Sequence, residues 1–339
     1  MLWPREAGEF IASRSKDVKI VDEGLRKVAS TLAESVRDGK LDMEGFMQME
    51  MLPVHKGLTE AQLADWMFLI DSLNFNFWMP NGVPKYSIVY EGKERTGYLA
   101  MVAAVNRAID EGKMIYDPKF YSRLTVDDIK HIFRSDTTSP MPMLSERVQV
   151  LGEVGNTLIE KYDGSFWNVL GKADGSAVKL IKLITSEFPC FQDTAIYDGQ
   201  IVALFKRVQI LVADLWLLYQ GEGLGAFTDV DTLTMFADYR VPQAMAYFGV
   251  LEYSDTLMEK LRSEKVFQSG DREEVEIRGC SIHAAELIVA MTRKILASWK
   301  LPTEGLNSVK VDYFLWEFRL QNAKKLDDVP YHRVRCIYY

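Results

Sequence analysis

A succession of helical signals, many of them closed by a stop of their own, commits this chain to a mainly α fold. Apolar residues recur at helical spacing over 5–14 and 22–38, and the second run stops at Asp38-Gly39. A segment over 42–51 continues in the same style as far as Pro53. Thr59-Glu60-Ala61-Gln62 has the form of a capping box ahead of the apolar run ADWMFLIDSL. Further helices are expected from about Leu99 to Gly112, after Thr125, and over 145–162, 176–187 and 201–220. Residues 228–239 also read as helical, and Pro242 suits the first turn of the next helix. Ser254 caps 255–263, 272–298 reads as one long helix or two divided at Gly279, and Ser308 caps a helix running through Trp316. Alternation replaces helical spacing over Tyr86–Tyr98, centred on Glu91-Gly92, which predicts one β-hairpin; the tail VRCIYY suits a small strand.

No repeat and no low-complexity linker interrupts this pattern, so 1–339 is expected to be a single domain. An N-terminal helical lobe, 1–130, would pack on 131–339. With 48% hydrophobic and 26% charged residues, the composition is that of a globular protein with a substantial core. The net charge is −8 and the pI about 5.3, with basic residues scattered, so no nucleic-acid polymer is expected as partner. The longest apolar run, near Ile201, is broken by Lys206, Arg207 and Asp214, which excludes it as a membrane span. Three widely spaced cysteines form no CxxC pair, and MLWPREAGEFIASR carries charges where a signal peptide needs an apolar core. These features point to a reducing, cytoplasmic setting, with the nucleus left open, and to a monomer.

The four histidines, His55, His131, His283 and His332, show no metal-ligand spacing, and no metal or cofactor is expected. GEGLG lacks the Lys-Ser/Thr of a phosphate-binding loop and reads as a flexible connection. Lys206 is more informative. At about 100° per residue it shares a stripe with Val202, Ile210, Ala213 and Leu217, while Arg207, Asp214 and Gln200 fall on a different line, read as the solvated face. A lysine among apolar residues loses hydration; it either snorkels to water, sits in a structural ion pair, or serves a site. Asp238, in Phe-Ala-Asp-Tyr-Arg, either caps the helix begun near Pro242 or presents a carboxylate to a reacting carbon. Phe75, Asn76, Phe77 and Trp78, following Asp71 and Asn74, set aromatics beside amide and carboxylate groups, as core packing or as a stacking pocket for a planar ligand. His283 lies on an apolar helix, and Asp312 and Trp316 share a face at i, i+4.

Five stretches, LNFNFW, LFKRVQILVADLW, LTMFADYRVPQ, EIRGCSIHAAEL and VDYFLWE, together resemble the queuosine salvage proteins, the queuosine 5′-phosphate N-glycosylase/hydrolases, over about Val18 to Tyr339. The resemblance implies a helical fold like that of the helix-hairpin-helix DNA glycosylases, recast for a free nucleotide. It implies hydrolysis of queuosine 5′-monophosphate to queuine and ribose 5-phosphate without a cofactor. On that expectation Asp238 is the catalytic carboxylate and Lys206 its orienting partner, covalent attachment of Lys206 to the sugar being the alternative. Asp71, Asn74, Phe75 and Trp78, with His55, Tyr239 and Trp316, are expected around the base, and Arg240 and Arg278 at the phosphate. A DNA base-excision glycosylase and a non-catalytic queuosine-binding protein are the competing readings.

Overall fold

The computed structural model describes residues 1–41 and 51–339, and over these it is mainly helical. The helix expected over 42–51 falls, apart from Met51, outside the described residues. Its framework is the 27-residue helix Arg272–Ser298, against which Pro4–Ala12 and Asp22–Arg37 pack. Gly279 does not divide this helix. A Cβ there would meet the Ile11 side chain at 2.5 Å, and one on Gly8 would lie 3.1 Å from the Gly279 carbonyl, so the glycines let two helices cross in close contact.

Two apolar clusters fill the interior. The first is built from residues between Met51 and Phe236, joined by Val309 and Tyr313. The second joins Ala7–Ala33 to residues from Met235 to Tyr339, together with Trp78, Tyr197, Val202 and Leu204. The first two helices thus belong with the C-terminal helices, and the clusters do not part at residue 130. Among the described residues the strands form two-stranded ribbons only. Ser87–Tyr90 pairs with Lys93–Thr96 as the expected hairpin. Of the strand expected over 334–339 only Val334 is extended in a ladder: Arg333–Val334 lies parallel to Val266–Phe267, and 335–339 run without strand. No described helix is long and apolar enough to cross a membrane.

The cap of the last long helix is Asn307, whose side-chain oxygen accepts from Lys310 N at 3.2 Å, and not Ser308, which is the first residue of the helix. Three more local expectations give way. Residues 201–203 are strand, not helix: Thr194–Tyr197 pairs with Gln200–Ala203 across Asp198-Gly199, both at positive φ (46° and 77°) as a tight hairpin turn requires. The helix therefore starts at Lys206, immediately after Phe205 at φ 49°. Arg207 and Asp214 are not solvated; both are buried, because this helix is covered on every side. Arg207 donates to the carbonyls of Ser72 and Cys190, and Asp214 accepts from the Tyr313 hydroxyl at 2.6 Å. Residues 228–239 make only a short 3-10 turn, Val230–Thr232, and then run without helix. There the backbone amides find side-chain partners in place of a helical ladder: Thr234 N donates to Gln209 Oε1 (2.9 Å) and Phe236 N to Asp312 Oδ2 (2.9 Å).

Candidate active site

A cavity of about 390 Å³ opens where the two apolar clusters meet. Three segments supply its polar floor. The helix Lys206–Leu218 contributes Lys206, Ile210 and Asp214, four residues apart and therefore on successive turns. The non-helical segment before the helix Arg240–Tyr247 brings Phe236 and Asp238. The helix Ser308–Gln321 brings Asp312, Trp316 and Arg319 along one face.

Lys206 is buried, and its ammonium donates to the Asn74 carbonyl (3.0 Å) and to Asn74 Oδ1 (3.1 Å). Asn74 Nδ2 in turn donates to Asp71 Oδ1 (3.1 Å). Burial lowers the Lys206 pKa from its ordinary value, and the negative charges of Asp238 and Asp71 oppose that shift. Asp238 does cap a helix: Oδ1 accepts from the backbone amides of Arg240 (2.7 Å) and Val241 (3.0 Å). Both bonds use the same oxygen, and the half-buried Asp238 also forms part of the cavity wall.

Three more carboxyl groups surround Lys206. Burial, with Asp214 nearby, pushes Asp71 well above the carboxylate range. Burial, with Asp238 nearby, does the same to Asp312. Burial raises Asp214 to about 7, against the Tyr313 hydrogen bond and the charge of Lys206, both of which lower it. The floor of the cavity therefore stores protons at neutral pH. Because its folded value is raised, the stability Asp214 contributes is fully present below the ordinary carboxylate range and is lost as pH rises through about 7. Asp214→Asn, which still accepts from Tyr313, is expected to stabilise the protein by up to about 4 kcal/mol at pH 8.5 and to change it little at pH 4. Thermal or denaturant melts at the two pH values measure this.

Of the residues singled out in the sequence, Asn74, Phe77, Trp78, Lys206, Asp238, Tyr239, Arg240, Asp312 and Trp316 line the cavity. Trp78 is almost fully covered: its indole N–H donates to the Val334 carbonyl (2.9 Å), and the Arg335 guanidinium lies 3.5 Å over its ring. Asp71 stands behind the wall, reaching it through Asn74. Three expected residues lie elsewhere. Phe75 is fully buried in the core beside the guanidiniums of Arg147 (4.3 Å) and Arg207 (5.2 Å). His55 is exposed on the 3-10 turn Pro53–Lys56, away from the cavity. Arg278 does not face the cavity as a phosphate ligand would; it is buried and paired with Asp193 and Glu274.

Sequence reasoning passed over Tyr98, Arg319 and Tyr331 and took Asp214 for a solvated residue, yet all four are in the wall. Arg319 was within reach, since it continues the Asp312–Trp316 face at i+7. Tyr98 opens the helix Tyr98–Asp110 directly after the hairpin, and Tyr331 sits in a connection to which no helical or strand period applies.

A family model described as "Queuosine salvage protein" matches residues 54–339. The chain belongs to this family. A queuosine 5′-phosphate N-glycosylase/hydrolase of Bos taurus is 42% identical over 340 residues, covering 100% of this chain and 99% of the relative. Proteins of the same name from Mus musculus (43%; 100% and 99% covered) and Schizosaccharomyces pombe (36%; 98% of each covered) are similar along their whole length.

Proposed function

We infer that this chain is a hydrolase of N-glycosyl bonds, cleaving queuosine 5′-phosphate to queuine and ribose 5-phosphate. The observation that carries the chemistry is the convergence of Lys206, Asp238, Asp214 and Asp312 on one cavity sized for a mononucleotide. Breaking the bond between the anomeric carbon and the base nitrogen builds positive charge on the ribose. Asp238 stabilises that charge and takes a proton from the attacking water, whose oxygen bonds to the anomeric carbon. The bonding electrons leave on the base nitrogen, which must then gain a proton; Asp214 and Asp312 are the cavity groups that burial keeps protonated near neutrality. Lys206 orients the site by holding Asn74 and balancing the surrounding carboxylates. Asn74, Phe77, Tyr98 and Trp316 supply an amide and aromatic faces for a planar base.

The phosphate goes to Arg240 and Arg319. Both guanidiniums line the cavity, and Arg319 Nε is buried with no hydrogen-bond partner. Burial and the nearby charge of Arg240 lower Arg319 to about 10, a repulsion that a bound anion would relieve. Arg319→Gln is expected to raise KM for the 5′-phosphate about 10- to 100-fold. Hydrolysis of the unphosphorylated nucleoside should change little, and an equal loss on both substrates would remove Arg319 from the phosphate site.

A mononucleotide suits the net charge of −8 better than a nucleic-acid strand does. The deciding assay incubates the purified protein with queuosine 5′-phosphate, queuosine, and abasic or lesion-bearing DNA. Free queuine from the 5′-phosphate is the expected product. Base release from DNA alone, or tight queuosine binding without turnover, would overturn the reading.

A further inference from the structure

We propose that Arg278 and Asp193 form a positioning brace that sets the backbone of Asp238 against that of Lys206. This rests on the assignment of those two residues to the reaction. The Arg278 guanidinium is buried and spends its donors on two separate segments. Nε donates to the Ala237 carbonyl at 2.7 Å, one peptide before Asp238. Its two terminal nitrogens donate to Asp193 Oδ1 (3.0 Å) and Oδ2 (2.5 Å), and one of them also to Glu274 Oε1 (3.1 Å). The same Asp193 Oδ2 accepts from the backbone N of Lys206 at 3.0 Å. The Asp193 carbonyl accepts from Leu204 N (3.0 Å) and Phe205 N (3.2 Å), so Asp193 holds the whole turn, including Phe205 at φ 49°, from which the Lys206 helix departs.

Neither segment is tied to the other by a helical or sheet ladder. Residues 233–239 run without regular structure, and 204–205 are the join between a strand and a helix. A planar guanidinium with fixed donor directions is suited to set their relative position; a lysine ammonium, a point charge, is not. Stability alone is a weak reason to bury such a pair, because its desolvation cost offsets much of its attraction. Catalysis is a better one, since misplacement of reacting groups by about 1 Å costs on the order of 100-fold in rate. The brace also reaches a third wall. Glu274 Oε1 accepts from the Tyr339 hydroxyl (2.9 Å), and Tyr339, which lines the cavity, has its ring 4.0 Å from the Arg278 guanidinium.

The test uses Arg278→Lys and Asp193→Asn, each alone and combined with Asp238→Asn, in the full chain, with folding checked by circular dichroism and melting. Asp193→Asn is isosteric and keeps an acceptor for Lys206 N, so it carries the test if Arg278→Lys does not fold. On queuosine 5′-phosphate each single variant is expected to lose about 10- to 100-fold in kcat with KM within about 3-fold of wild type. Combined with Asp238→Asn, neither should lower the residual rate further, since a misplaced group that is already inert has nothing left to lose. A folded variant with unchanged kcat, a proportional rise in KM, or a full multiplicative loss on top of Asp238→Asn would overturn the brace. If Asp238→Asn alone turned over normally, the assignment of Asp238 would fall instead, and the split between kcat and KM in the single variants would still judge the brace.

Discussion

Asp238→Asn is expected to lower kcat for release of queuine by about 1000-fold or more while nucleotide binding survives. On the proposed mechanism the substitution removes the negative charge that faces the developing cation and the base that accepts the proton from water. It leaves the local fold intact, because the Asn oxygen can still accept from the amides of Arg240 and Val241, which Asp238 Oδ1 holds at 2.7 and 3.0 Å. Steady-state release of free base measures the loss, and calorimetric titration with queuosine 5′-phosphate measures binding. Turnover at the wild-type rate would remove Asp238 from the chemistry.

Lys206→Met is the second large effect, about 100-fold in kcat. The volume is nearly kept, but Asn74 O and Oδ1 lose their shared donor, and the carboxyls around the cavity lose their central cation. Lys206 is one of the charges that lower Asp214, so its removal is expected to move the titration of Asp214 upward from about 7. The pH dependence of stability should shift toward higher pH accordingly. Borohydride added during turnover by the wild-type protein should trap no sugar on Lys206. A trapped adduct would make the lysine the nucleophile.

The candidate site was legible in the sequence where one residue type broke the pattern of a single element. Lys206 stood out in an apolar stripe, and Asp238 stood out ahead of a helix with Pro242 in its first turn. The resemblance of five ordered stretches to one family turned two ambiguous residues into candidates for a site. Local signals also located most helices, down to the capping boxes at Thr59 and Thr125. One available signal was missed: Asp198-Gly199 between alternating residues marks a hairpin, and reading it would have started the helix at Lys206. Residues 228–239 misled for a different reason. Their backbone partners are side chains such as Gln209 and Asp312, which no local window contains.

By itself the sequence determined that the chain is mainly helical, that its charge disfavours a nucleic-acid partner, and which lysine and aspartate to examine. Those properties follow from periodicity, caps and composition, which are local or additive. Only the tertiary structure decided which arginine faces the cavity. Arg278 and Arg319 look alike in the sequence, yet one is matched by Asp193, 85 residues away, and the other has a buried Nε left without a partner beside Arg240. The tertiary structure likewise turned Asp214 from an apparent surface residue into a cavity acid, by covering its helix on every side. A long polar side chain takes its role from the partners that burial brings to it, and those partners come from distant segments.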